Sequence, residues 1–400
     1  MSYTSLALKT VHASPELIYA AFTRAMGLTE WMCDFATVAP QPGGRMYLWW
    51  HGNFYSSGEY IALEENQSIT FKWFGRFDPA PSEVKVTIEQ KEDGCLVTMA
   101  HTVPDGPGWM RRADDFAKEW SSTLGNLAQV LETGIDQRTA DRPLLGIEVS
   151  DFNSEVAKSL GVPVSEGMRI DSVRSGLGAE KAGLRKDDVI VELGGSPINN
   201  DFGTFVLALK GKKAGEQVDV TFYRGSQKQT VPMELSRRPL PQVPGTGKEL
   251  AVLVREKYAS GLNALEKALA GASEAAAGKR PQPDAWSVKD VLAHLILTER
   301  HWLEELDDLI AGYPRLSDDG GGNSDLHIQA AVATYKTTRA LLDELTRLAD
   351  ELEFYLGNLP DAFIARRAAY LRVVTLFTDS SLPHLFAHVE QIETALKSTN

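Results

Sequence analysis

The apolar positions of this chain change period along its length, from alternating to helical, back to alternating, and finally to helical. Residues 3–11 alternate as a half-buried strand; PELIYAAFTRA then switches to helical spacing, with Ser14 placed as N-cap and Pro15 in the first turn. Five alternating runs follow between turn signals: RMYLWWHG, SSGEYIALEE, SITFKWFG, EVKVTIEQK and CLVTMAHTV. A long helix over residues 110–132 closes the stretch, with Phe116, Trp120, Leu124, Leu127 and Leu131 at helical spacing. Strand, helix, antiparallel sheet and long helix predict an α+β domain in which a curved sheet wraps one helix.

Two polar stretches interrupt the pattern, TGIDQRTADRP over residues 133–143 and the proline- and glycine-rich SRRPLPQVPGTGK over residues 236–248. They divide the chain into domains at 1–136, 137–240 and 249–400. The middle piece mixes short strands with short helices and reads as mostly β. The last has almost no strand signal and carries four apolar-periodic helices, over residues 250–270, 287–311, 325–350 and 382–398, separated by GKRPQPDA and DDGGGNSD. That is the pattern of an all-α four-helix bundle, whose core is a place where facing helices hold metal ligands.

Composition narrows the partners. The chain has 400 residues, 43% apolar and 24% charged, with a formal net charge of −13. It has enough apolar material for several cores, and its negative charge argues against nucleic acid and anionic membrane as partners. Two cysteines, Cys33 and Cys95, make no disulfide framework and suit a reducing compartment. The N-terminus lacks a basic segment followed by an apolar one, and no run of about 18 apolar residues occurs, so a soluble cytoplasmic protein without membrane insertion is expected.

In the first piece, SPELIYAAFT, LTEWM, PQPGGRMYL, GEYIALEENQSITFKW and EWSSTLGNLAQVLE resemble, in that order, the SRPBCC (START-like) superfamily, in the branch named after the activator of the heat-shock-protein ATPase. The resemblance implies a helix-grip fold enclosing an apolar cavity for a small molecule. Six of eight tryptophans fall here; Trp31, Trp49, Trp73 and Trp120 are taken as cavity residues, with plain core as the alternative for each. His51 and His101 have no partners at metal-ligand spacing and read as ordinary polar positions. Cys33 has no cation near it in sequence and reads as an inert thiol.

In the middle piece, GLRKDDVIVELGG resembles the PDZ domain in the version found in HtrA/DegP-type proteases, and the likeness runs from Leu144 to Leu235. It implies that Leu145, Gly146 and Ile147 form a loop whose backbone N–H groups receive a peptide's terminal carboxylate, with Arg142 adding positive charge. The strand from Ile147 to Val149 would pair with the peptide, and Phe205 and Leu209 would shape its side-chain pocket. A glycine that serves only a turn, with the groove filled by the chain's own linker, is the alternative. No G-x-S-x-G or GNSGG segment is present, so the protease that such a domain regulates is absent from this sequence.

In the last piece, Ser287 is placed as an N-cap with Asp290 boxed three residues on. WSVKDVLAHL and the terminal HLFAH resemble the DinB/YfiT-like family. The resemblance implies a divalent metal held by His294, His384 and His388. Residues four apart share a helix face, and three imidazoles with open positions suit Zn²⁺ or Ni²⁺. The chain departs from the family in running Val389, Glu390, Gln391 after the last histidine. Pro383 places the expected start of its helix one residue before His384, in the first turn. His301 is a spare candidate on the face of His294, Glu299 reads as a solvated charge, and His327 has no evident partner.

Two of three modules bind rather than react. A cytoplasmic adaptor that holds an apolar ligand or client, a C-terminal peptide and a metal is therefore preferred. A metal-dependent, thiol-linked transferase or isomerase in the bundle is the alternative, and a chaperone-ATPase activator role for the first domain a third.

Overall fold

The structure, a computed structural model, describes residues 2–106, 108–240, 242–282, 285–313 and 324–399. They form two compact units, one from residues 1–136 with 241–400 and the other from 137–240. The outer two pieces of the chain thus fold as one body. The glycine-rich stretch expected to precede residue 325 lies outside the described residues.

The first part of the larger unit has β1 (Tyr3–Val11), β2 (Phe35–Val38), β3 (Arg45–Trp50), β4 (Phe54–Glu64), β5 (Ser68–Gly75), β6 (Ser82–Lys91) and β7 (Gly94–Val103). They make one antiparallel sheet in the order β1-β7-β6-β5-β4-β3-β2. Alternation explains the sheet's inner face: Cys95, Val97, Met99, His101 and Val103 are buried and the residues between them are not. Helix α1 (Pro15–Thr23) starts where Ser14 Oγ accepts the Leu17 N–H at 3.4 Å, and α2 (Ala25–Trp31) follows at once. The long α3 (Met110–Thr133) joins the core through Phe116, Leu124 and Leu127, which pack with Val86 and Val97 of the sheet.

The smaller unit carries β8 (Ile147–Ser150), α4 (Ser154–Leu160), β9 (Met168–Val173), β10 (Val189–Leu193), β11 (Ser196–Pro197), α5 (Phe202–Leu209), β12 (Gln217–Arg224) and β13 (Gln227–Glu234). Its sheet runs β13-β12-β10-β9-β8, with β11 on β10. β8 therefore lies at the edge, paired on one side with β9.

The helical part of the larger unit begins with α6 (Gly247–Leu269), capped reciprocally by Thr246 and Glu249. Helix α7 (Val288–Ala311) has the expected box between Ser287 and Asp290, each side chain meeting the other's backbone N–H at 3.0–3.2 Å. Two expectations need correction. The helix expected over residues 325–350 is two, α8 (Asp325–Thr334) and α9 (Thr338–Gly357), because Thr337 caps a new start by accepting the Ala340 N–H. The last helix does not start beside Pro383. A continuous helical run passes from α10 (Arg367–Thr375) through a π-helical turn (Leu376–Ser380) into α11 (Ser381–Thr399).

The two parts of this unit share side chains: Met26 of α2 packs with Tyr370 and Val373 of α10, and Ala368 packs on the sheet domain's core. No helix among the described residues is long and apolar enough to cross a membrane. Helices α6 and α11 approach so closely that a Cβ on Gly261 would sit 1.8 Å from a methyl of Leu385, itself 1% exposed. Gly261→Val is expected to cost about 1–3 kcal/mol of stability. Urea unfolding would report it, and adding Leu385→Ala would recover part of the loss.

Candidate functional site

The strongest cluster lies between α7 and α11. His294 stands on α7, one turn past the capping box; His384 and His388 stand one turn apart on α11. Their Nε2 atoms converge, with His384 Nε2 3.0 Å from that of His294 and 3.0 Å from that of His388. Nitrogens this close share a proton or a cation, and only a cation engages all three at once. Around a tetrahedral ion about 2.0–2.1 Å from each nitrogen, ligand nitrogens lie about 3.3 Å apart, so the two 3.0 Å spacings fit with a small outward movement of His384. Among the described residues this is the group of histidines, cysteines and carboxylates placed to hold a metal.

Neighbouring groups set the rings. Gln391 Oε1 accepts from His388 Nδ1 at 2.7 Å, which leaves the His388 Nε2 lone pair directed at the centre. Trp286 packs on His294 with centroids 4.8 Å apart, and Trp302 meets the edge of His384 at 5.7 Å. Burial, and then the charge of the neighbouring imidazoles, pushes His294 and His384 down to about 4; burial lowers His388 too. The rings are thus neutral near pH 7, the state in which imidazole binds metal. All three are half-buried, which leaves a side open to solvent.

His301 does not join the trio. Pro383 proves to be inside the helical run rather than at its start, three residues after the π turn ends. Glu299 is corrected more sharply: it is 5% exposed in the bundle core, not solvated, and burial pushes its carboxyl up to about 8. Gln391, which follows the departure from the family pattern at Val389 and Glu390, is the partner that fixes the His388 ring; its spacing of three from His388 was the available signal.

The sheet domain holds a cavity of about 590 Å³ between sheet and long helix. Trp73 and Trp120 line it with Trp50, Phe54, Phe116 and Met32, and Arg112 and Glu119 supply its polar groups. Trp31 and Trp49 do not. Trp31 is 1% exposed, packed edge-on to Phe22, and donates its Nε1–H to the Ala21 carbonyl at 3.0 Å. Trp49 points to the opposite sheet face from Leu48 and Trp50, so Trp50 takes the place assigned to it.

Below the cavity, His101 is fully buried and accepts the Trp120 Nε1–H at Nδ1, 3.0 Å away. Its Nε2–H therefore donates to Ser82 Oγ at 2.7 Å, and the Ser82 hydroxyl donates to the Trp73 carbonyl at 3.1 Å. This is a structural role, not an incidental polar position.

In the smaller unit, Gly146 has φ +83°, and a Cβ there would lie 2.4 Å from Leu177, so the loop requires glycine. Among the described residues the N–H groups of Leu145 and Gly146 have no partner, while Leu144 anchors the loop through paired backbone bonds to Ser236. Ile147 and Val149 are half-buried on the core side of edge strand β8, and Leu145 is buried. Phe205 is also core, 7% exposed, with Leu209 half-buried beside it. Exposed apolar groups on α5 are instead Phe202, Val206 and Leu207, which the sequence reading missed although Phe202 and Val206 stand four apart.

With this geometry in hand, the likenesses to known proteins fall module by module. A family model described as activator of Hsp90 ATPase homolog 1-like protein matches residues 12–132, the PDZ domain model residues 143–235, and the DinB superfamily model residues 258–389. A probable periplasmic serine endoprotease DegP-like of Marinomonas sp. (strain MWYL1) is 35% identical over 116 residues, covering 28% of this chain and 24% of that protein. The periplasmic pH-dependent serine endoprotease DegQ of Escherichia coli (strain K12) is 35% identical over 80 residues, 20% of this chain and 17% of that protein. The chain thus spans about a quarter or less of these relatives' length. Among solved structures, the Aha1 dimer from Colwellia psychrerythraea is 20% identical with a TM-score of 0.30, covering 32% of this chain and 96% of that one. The chain therefore carries these three modules in this order.

The His101 ring is held near 3, first by burial and then by the Arg112 charge, against an ordinary value of 6.5. The unfolded chain takes up its proton first, so the stability this neutral ring contributes is complete above pH 6.5 and is lost as pH falls toward 3. Urea unfolding between pH 6.5 and 4 is expected to show a slope of about 1.4 kcal/mol per pH unit from this residue. His101→Gln is expected to remove that slope.

Proposed function

We propose that this chain is a multimodular binding protein whose helical part holds one Zn²⁺ or Ni²⁺ through His294, His384 and His388. The observation that carries the reading is that His384 Nε2 lies 3.0 Å from the Nε2 atoms of both His388, one turn on, and His294, ninety residues away on another helix, so that all three ligand nitrogens fall within 4.8 Å of one another. A hydrophobic core does not require that arrangement, and a shared proton joins two of these nitrogens at a time, whereas a cation engages all three. The sheet domain takes an apolar small molecule into its aromatic cavity, and the edge strand β8 with the Leu145–Gly146–Ile147 loop takes a peptide C-terminus by strand addition. A cytoplasmic location is part of the proposal, resting on two buried cysteine thiols that form no disulfide.

A second reading, a thiol-linked metal-dependent transferase, is favoured by one observation: the trio is half-exposed and leaves coordination positions open. A bound ion there would supply a water of pKa about 7 or hold a thiol as thiolate. An ATPase-activator role for the sheet domain is the third reading and rests on the family likeness alone.

Metal analysis after supplementation with Zn²⁺ or Ni²⁺ is expected to give one ion per chain for wild type and none for His388→Ala. Equal emptiness of both would end the metal reading. Adduct formation between an electrophile and a small thiol, present in wild type and absent in the same variant, would move the conclusion to the transferase. For the peptide site, amidating the C-terminus of a bound peptide is expected to weaken it by at least about tenfold, since charge-assisted hydrogen bonds contribute about 1.5–3 kcal/mol. Indifference to the amide would rule out the loop as a carboxylate receptor.

A further inference from the structure

The π-helical turn before Pro383 sets the direction in which the histidines point. Upstream of it, Tyr370, Val373, Val374 and Phe377 form the buried stripe. A regular α-helix would carry that stripe on through Ser381, His384 and His388. The widened turn, Leu376–Ser380, inserts one residue, and the stripe resumes at Leu382, Leu385, Val389 and Ile392. One residue of insertion rotates the downstream helix by about 100°. His384 and His388 are thereby turned out of the core's centre to the half-buried seam beside His294. Backbone bonding agrees, since the Ser381 N–H reaches back five residues to the Leu376 carbonyl. The turn also precedes the proline, whose ring would strike the carbonyl four residues back in a regular helix.

Ser381 is the one residue of the interrupted stripe that stays fully buried, and it is polar. Its hydroxyl meets Glu299 Oε1 at 3.4 Å and lies against the Tyr258 hydroxyl, which donates to Glu299 Oε2 at 2.8 Å. The three come from α6, α7 and the first position of α11. They are 4%, 5% and 0% exposed for Tyr258, Glu299 and Ser381, so each hydrogen bond is shielded from water. Three residues on from Glu299, Trp302 packs against His384, and three on from Ser381 is His384 itself. A buried acid beside a π turn, one helical turn from converging histidines, has no packing advantage over leucine.

We propose that Tyr258, Glu299 and Ser381 are positioning residues for the metal centre: together they lock the junction at which α11 changes phase and so hold His384 and His388 toward His294. The proposal rests on the metal reading above, and it assigns the cluster no contact with the ion. Because burial keeps the Glu299 carboxyl neutral to about 8, glutamine is its nearest mimic and leucine its shape-only replacement.

Full-length wild type, Glu299→Gln, Glu299→Leu and Tyr258→Phe would be titrated with Co²⁺, reading affinity and the visible ligand-field bands. Thermal unfolding would be run alongside, with hydrogen exchange of residues 376–388 in metal-free protein. Glu299→Leu is expected to weaken Co²⁺ about 10–100-fold, as outer-shell losses do, and to shift the bands; Glu299→Gln should stay near wild type. Exchange over 376–388 should quicken in Glu299→Leu. A Glu299→Leu protein that melts earlier yet keeps wild-type affinity and bands would overturn the proposal, leaving the cluster as ordinary core. If Glu299→Leu does not fold, Tyr258→Phe carries the test, with a several-fold loss expected and no loss overturning it. Should wild type itself take no Co²⁺, the metal reading fails; unchanged exchange in the variants would then overturn the junction lock as well.

Discussion

Helical phase is the constraint on which this molecule's clearest chemistry depends. Residues 367–399 must bury two stripes that are out of register by one position, Tyr370 to Phe377 before the π turn and Leu382 to Ile392 after it. Core burial decides that register, since each large apolar side chain contributes about 1.5–3 kcal/mol when removed from water. The histidines comply passively: with the leucines inward, they have one seam left. A π turn costs some hydrogen-bond quality, but four buried apolar residues on the far side outweigh it.

The same run also ties the sheet domain to the helices. Met26 of α2 enters the helical core, while Met32, just past the end of α2, lines the cavity and accepts the Trp50 Nε1–H at its carbonyl, 2.5 Å away. Glu30 between them is pushed up to about 7 by burial, against the opposing pull of Arg366, just before α10, and Arg372 on it. Arg372 in turn reaches Glu305 on α7 at 3.3 Å. Cavity wall and histidine-bearing helices therefore belong to one packed frame, and a polar seam crosses it. Such a seam fixes geometry more than it adds stability, because desolvating these charges offsets much of their attraction.

Much of this was legible in the sequence because it is periodic. Strand alternation, the Ser14 and Ser287 caps and the three module likenesses all rest on local patterns that the structure repeats. What was not legible depended on phase or on distant partners. Trp49 and Trp50 are adjacent in a strand and must face opposite ways, but nothing local says which faces the cavity. Pro383 looked like a helix start because prolines usually sit there, whereas the π turn that tolerates it is invisible to a period of 3.6. Glu299 was misjudged for the commonest reason: charged residues are almost never buried, and the partners that bury this one, Tyr258 and Ser381, lie 41 and 82 residues away.

The metal reading therefore has two independent supports of unequal kind. A family likeness over residues 258–389 suggests which histidines to consider, but carries no coordinates. An H-x-x-x-H pair on one helix would point together in any sequence, metal or none. The third histidine is what a helix surface cannot supply by accident of spacing. His294 reaches the pair from a separate helix, its ring packed on Trp286 and its burial sufficient to keep it neutral. Packing alone would favour an apolar residue at each of these half-buried positions. Three imidazoles turned nitrogen to nitrogen are expensive to keep, and a divalent ion is the simplest group that makes the arrangement favourable.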